Sequence, residues 1–313
     1  MKVSVFDLHC DTADKLAGFG ENGPENLDRN TAHIDLERAG GLCGYAQCFA
    51  CFTSVSNQYN PVDVFEKKLA AIHRELAKNF DRIRQVYTPD EIDENRKNGL
   101  YSAILTIEGP AGFGFDPELL EDLYKIGFRI TTLGWNEKNP LTGSCVTGGG
   151  LTDLGREYVK EAQRLGMIVD VSHISDEGFW DIMDITGAPI VATHSNSRFC
   201  CNVSRNLTDD MFFQICKTDG VAGINLYSAF VGEDATLDAV CDHVFHYLDL
   251  DPSGKHIALG GDLDGCDTLP NGFSGIQDYP KFADCLRDRG LSEEMIHDIF
   301  WNNALGVMKR CCM

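Results

Sequence analysis

The chain has 313 residues, 43% of them apolar, with 48 acidic against 27 basic side chains and a formal net charge of −21. That excess of negative charge argues against nucleic acid or an anionic membrane surface as a partner, because both demand Lys/Arg patches. No segment approaches the roughly 20 apolar residues of a membrane span. No stretch reads as a secretory leader, and EEMIHDIFWNNALGVMKRCCM reads as an amphipathic helix, not a lipid-anchor signal. A cytoplasmic protein with no membrane partner is therefore expected.

In chain order, short apolar runs of the buried parallel-strand type fall at 3–8, 45–52, 102–107, 129–133, 167–172, 189–193, 221–225 and 256–260. Helical patterns lie between them at 62–79, 117–125, 152–165, 175–185, 209–217 and 237–248, with Thr152 and Ser175 placed as N-caps. Eight strands alternating with helices predict an α/β fold of the (β/α)8 TIM-like barrel type, one domain over residues 1–313. An open doubly wound sheet would carry a GxGxxG loop after its first strand, and HCDTADKL stands there instead. Gly148–Gly149–Gly150 follows no strand and reads as a flexible loop before a helix.

The 13 cysteines are odd in number and scattered, which suits free thiols in a reducing compartment. Cys48 and Cys51 match CxxC, but YAQCFACF reads as a buried strand, and no helix start or second pair supports a redox or zinc role.

Each predicted strand end that carries a charged or imidazole group carries a metal-ligand type: His9 and Asp11, Glu108, His173, His194 and Asp262. A parallel barrel brings all its strand ends to one face, where these side chains converge. His9 and Asp11 share a strand face, and Cys10 points away into the packing. A buried carboxylate such as Glu108 is costly alone; its partner is either an Arg/Lys or a cation, and its two oxygens can bridge two cations. His173 and His194 are 21 residues apart, one β/α step, and so come from neighbouring strands. Singly, each histidine suits an ordinary hydrogen-bonded role; the whole set suits two Zn2+ bridged by Glu108 and a water or hydroxide. Two metals about 3.5–4 Å apart serve hydrolysis of an amide or ester. Asp262 in GGDLDG is assigned to the chemistry, and Asp264 to the loop.

The ordered segments DLHCDT, TIEG, GLTDLGREYVKEAQRLGMIVDVSH, ATHSNSR, NVSRNLTDDM, GGDLDG and NNALGVM resemble the membrane (renal) dipeptidases, dinuclear zinc peptidases of the amidohydrolase-like barrels. The resemblance runs along nearly the whole chain. It implies one zinc on His9, Asp11 and Glu108, and a second on Glu108, His173 and His194. It implies Asp262 as the acid/base and Arg205 as the clamp for the free C-terminal carboxylate of a dipeptide, L,D-dipeptides included. A homodimer is also expected from it. One departure concerns substrate contact: where animal members carry a histidine after strand four, this chain reads TTLGWNEKN. Trp135 stands in its place as a pocket wall, with Asn136 as a hydrogen-bonding group for substrate. Two alternatives stay open: a relative acting on another small amide such as a lactam or N-acyl amino acid, and a non-catalytic metal-binding barrel.

Overall fold

The computed structural model describes residues 3–20, 22–56 and 58–312. All eight predicted strands form: β1 (Ser4–Cys10), β2 (Gly44–Phe52), β3 (Tyr101–Glu108), β4 (Phe128–Thr132), β5 (Ile168–Asp170), β6 (Ile190–Val191), β7 (Ala222–Ile224) and β8 (Ile257–Leu259). They pair in parallel around the ring, β8 on β1 and β7 on β8. Between β6 and β7 a single parallel bridge, Ala192 to Ala222, completes the circuit. The result is a nearly closed (β/α)8 barrel, as the alternation of strands and helices predicts.

Parallel strands are buried on both faces, so they read as continuous apolar runs. Two packed clusters follow. Phe6, Leu8, Ala46, Cys48, Ile104, Ile130, Ile168, Val191, Val221 and Ala258 come from every barrel strand or the residue leading into it. They fill the barrel and are closed off by Trp301, Ala304, Val307 and Met308 of the C-terminal helical segment. The larger cluster, with Tyr158, Phe179, Phe212, Tyr247 and Phe282, packs the helices against the outside.

One irregularity sets the site. Between Asp7 and Cys10, β1 spends three residues where β2 spends two, Gln47 to Phe49. A bulge of this kind re-aims the side chains that follow it. Leu8 accordingly packs inside the barrel and Cys10 outside, although they are two residues apart.

The helices lie close to expectation: Pro61–Lys78, Asp153–Leu165, Asp176–Ile185, Asp209–Lys217 and Leu237–Leu250, with Thr152 and Ser175 accepting from Gly155 and Gly178 backbone N–H as N-caps. Two readings change. The glycine run is no free loop: Gly148–Leu151 is a strand paired antiparallel with Thr142–Ser144. Gly150 is needed for close approach, since a Cβ there would lie 2.1 Å from Asp181 Oδ2, while Gly148 (φ 67°) and Gly149 (φ 96°) hold left-handed backbone. The stretch at 117–125 splits into a 3-10 turn, Pro117–Leu119, and helix Leu120–Ile126. Strand Ile83–Gln85 and helices Pro89–Lys97 and Tyr279–Asp288 are additions. All 13 cysteines are free thiols, and Cys48 and Cys51 are buried in β2.

Closure of the barrel is tight at Gly260, where a Cβ would stand 1.6 Å from the Thr193 carbonyl oxygen. Gly260→Ala should destabilise the protein by at least about 1–3 kcal/mol, the range of overpacking. Gly187→Ala, where a Cβ meets nothing within 4 Å, should stay within about 0.5 kcal/mol. Urea denaturation midpoints check both; equal midpoints would contradict the packing.

Candidate active site

The C-terminal strand ends gather all six expected residues. His9 ends the bulge of β1, and Asp11 follows it. Glu108 ends β3, His173 and His194 follow β5 and β6, and Asp262 follows β8. His173 (φ 69°) and Asp262 (φ 56°) both hold left-handed backbone conformations. Such strain is uncommon outside glycine and collects at functional sites.

Glu108 stands at the centre, 3% exposed. Its two oxygens face different partners. Oε2 lies 3.4 Å from His9 Nε2. Oε1 lies 2.9 Å from His173 Nε2 and 3.9 Å from His194 Nε2. Asp11 Oδ2 lies 3.4 Å from His9 Nε2. No Arg or Lys pairs with Glu108 among the described residues, so its partners are imidazoles.

Hydrogen bonds fix the tautomers of two of these rings. Asp170 Oδ2 accepts from Thr193 Oγ1 at 2.5 Å. The Thr193 oxygen is then left to accept from His194 Nδ1–H at 2.7 Å. His173 Nδ1–H donates to Asn136 Oδ1 at 2.9 Å. Both Nε2 atoms therefore carry lone pairs, and they sit 3.0 Å apart. Burial, with Arg205 nearby, holds His173 down at about 4. Burial and the charge on His9 hold His194 well below the ordinary value. Two neutral acceptors at that separation repel unless a cation lies between or beside them.

The acidic half of the site carries the complementary excess. His9, Asp11 and Asp262 bring one donor atom each within 4.8 Å of one another. At an effective dielectric of about 20, like charges about 4 Å apart cost about 4 kcal/mol. Burial and the neighbouring Glu108 accordingly push Asp11 up to about 7. Burial, opposed by His9 and reinforced by Glu108, pushes Asp262 up to about 6. Burial works against charge on His9, but Glu108 and Asp11 overcome it and hold the imidazole well above its ordinary value. Burial also opposes charge on Glu108, yet the charge on His9 holds it well below the carboxylate range. His9 Nε2 and Asp11 Oδ1 are buried without a hydrogen-bond partner. The donor set fits divalent cations: imidazole nitrogens and carboxylate oxygens, partly unsatisfied, with outer partners already orienting them.

Around this cluster, Asn225 Nδ2 donates to Asp262 Oδ2 at 3.1 Å and to the His194 carbonyl at 3.2 Å. Asp7 accepts from His9 N–H and Gly261 N–H and from the Tyr279 hydroxyl. Gly265 has no room for a side chain, since a Cβ would stand 2.1 Å from Asp11 Oδ2. Asp264 serves the loop, accepting from Thr12 Oγ1 and His33 N–H at 2.6 Å each.

The expected substrate contacts divide. Arg205 is 7% exposed. It donates to Ser195 Oγ at 3.2 Å and the His194 carbonyl at 3.4 Å. Its Nε is buried without a partner. Trp135 is half-buried, with its ring 5.1 Å from Phe52 and 6.3 Å from His173. Asn136 Oδ1 accepts from His173 Nδ1–H, so this oxygen orients an imidazole. Sequence reasoning passed over Asp7, Asp170, Thr193 and Asn225. The legible signal for the first two was a charged residue inside an otherwise apolar strand.

A parallel barrel with this buried nitrogen-and-oxygen donor cluster at its strand ends defines a metal-dependent hydrolase. The chain belongs to the membrane dipeptidase family, peptidase family M19, whose model matches residues 1–312. A crystal structure of a metallo peptidase from Rhodobacter sphaeroides, liganded with a phosphinate mimic of the dipeptide L-Ala-D-Ala, superposes with a TM-score of 0.89 at 25% identity, covering 99% of this chain and 100% of that one. The dipeptidase verJ of Clonostachys rogersoniana is 29% identical over 325 aligned positions, 98% of this chain and 84% of that protein. An uncharacterized dipeptidase of Schizosaccharomyces pombe is 37% identical over 215 residues, 66% of this chain and about half (53%) of that relative's length. No helix among the described residues is long and apolar enough to cross a membrane.

If Thr193 sets the His194 tautomer, Thr193→Val should weaken divalent-cation binding by about 10–100-fold. Competition with a chromophoric chelator measures this; unchanged affinity would contradict the Asp170–Thr193–His194 chain.

Proposed function

We propose that the chain is a dipeptidase using two Zn2+ ions, one held by His9, Asp11 and Glu108 and the other by Glu108, His173 and His194. The observation that carries this reading is the division of Glu108: one oxygen faces His9, and the other faces His173 and His194. Bound there, the ions would polarise the scissile carbonyl and acidify the attacking water.

The chain's own residues do the rest. Asp262, steadied by Asn225, takes the proton of the attacking water on its Oδ1 and delivers it to the leaving amine nitrogen. Arg205 presents a planar guanidinium whose Nε is unsatisfied, suited to the C-terminal carboxylate of a short substrate. Clamping that carboxylate beside the cluster favours a dipeptide over a longer chain. Trp135 and Phe52 bound the mouth and exclude water from one side. The similarity to a peptidase solved with a mimic of L-Ala-D-Ala supports L,D-dipeptides as substrates.

Purified protein should hydrolyse L-Ala-D-Ala and related dipeptides, lose that activity to a chelator and regain it with Zn2+. Absence of dipeptide turnover in the Zn2+-loaded protein would overturn the reading. Arg205→Ala should lower kcat/KM on free-carboxylate dipeptides by roughly 30-fold or more, about 2 kcal/mol, the lower bound for truncating a buried charge pair. C-terminally amidated analogues should be little affected; equal losses on both would count against the clamp.

A further inference from the structure

We propose a second metal site, remote from the catalytic cluster, formed by Cys216, Asp251 and His256. Cys216 lies in the last turn of helix Asp209–Lys217, Asp251 caps helix Leu237–Leu250, and His256 immediately precedes β8. This is the N-terminal end of the barrel strands, opposite the face that carries Glu108. One donor atom from each of the three lies within 4.8 Å of the other two, and all three residues are half-buried.

Three independent features point to a cation. His256 Nδ1–H donates to the Gly220 carbonyl at 2.8 Å. That fixes the tautomer and leaves the Nε2 lone pair turned toward Asp251, the arrangement of a metal-ligating histidine. The Asp251 carboxylate is likewise oriented, accepting from Ser253 N–H at 3.1 Å and Ser253 Oγ at 2.9 Å. Finally, the C-termini of two helices meet here, and the negative ends of their dipoles favour positive charge. A plain Asp–His pair would close to hydrogen-bond distance, whereas His256 Nε2 and Asp251 Oδ2 stand 4.0 Å apart with a thiol beside both.

The donor set is one thiolate, one imidazole and one carboxylate, which suits a borderline-soft divalent ion such as Zn2+ with water as the fourth ligand. Zinc bonds of about 2.0–2.3 Å place tetrahedral donors roughly 3.3–3.8 Å apart, so side-chain adjustment closes the cluster. On binding, the Cys216 S–H proton leaves to solvent and the thiolate bonds the ion. Such an ion ties the end of helix Asp209–Lys217 to the turn that feeds β8, so its role is structural.

The catalytic donors contain no sulfur, so the two kinds of site are distinguishable, and this inference stands apart from the dipeptidase reading. The full chain titrated with Co2+ should show a thiolate-to-cobalt charge-transfer band in the near ultraviolet. Cys216→Ser and His256→Gln should abolish or weaken it, and Glu108→Gln should leave it intact. Cys216→Ser should also lose one Zn2+ per chain by elemental analysis, with dipeptide hydrolysis unchanged. No band in the wild type, or a band that survives Cys216→Ser, overturns the proposal.

Discussion

The structure turns on one carboxylate. Glu108 is buried at the end of β3 and is shared between two sets of imidazoles, with no Arg or Lys to neutralise it among the described residues. An isolated carboxylate in that position is costly. Around it stand two neutral histidines with opposed lone pairs, one imidazole held between carboxylates, and two aspartates whose protons are held unusually tightly by burial. Each of these features is awkward in a metal-free protein, and all are relieved together by divalent cations. The site is thus organised for ions before any ion arrives.

The barrel maintains this arrangement by rigid means. The extra residue in β1 turns His9 and Asp11 to the mouth while Cys10 returns to the packing. Left-handed backbone at His173 and Asp262 aims two further groups at angles that ordinary strand geometry does not reach. Gly260, Gly261 and Gly265 let neighbouring strands and loops approach closer than any side chain allows. Behind these side chains, buried Asp7 accepts from backbone N–H groups of two neighbouring strand ends and from the Tyr279 hydroxyl of a helix. Buried Asp170 accepts from Ser172 and Thr193 N–H and the Thr193 hydroxyl. They hold the backbone of His9 and the hydroxyl that meets His194 in place.

Much of this was legible in the chain because parallel barrel strands are apolar runs, and a His, Asp or Glu at the end of such a run has few structural reasons to be there. For the same reason the eight strands and most of the helices between them are legible, while a few elements are not. Helix Pro89–Lys97 offers only Ile92 as an apolar residue and is held by Glu91 accepting from Thr88 N–H and by the buried Ile92 and Asn95, so it shows no stripe. The Gly148–Leu151 strand is dictated by Asp181, 30 residues away in sequence, accepting from Leu151 N–H. Asn225 and Thr193 are polar residues at strand ends like many others. Only the fold reveals that one meets Asp262 and the other completes a chain to His194. For Asn136 the position near the cluster is readable, but the partner of its side-chain oxygen, His173, is not.

The most direct test is anomalous diffraction at the zinc edge from crystals of the Zn2+-loaded protein. The account predicts two peaks flanking Glu108, one within bonding distance of His9 and Asp11 and one within bonding distance of His173 and His194. A single peak there, or zinc bound at the barrel mouth without Glu108 as a shared ligand, would contradict it.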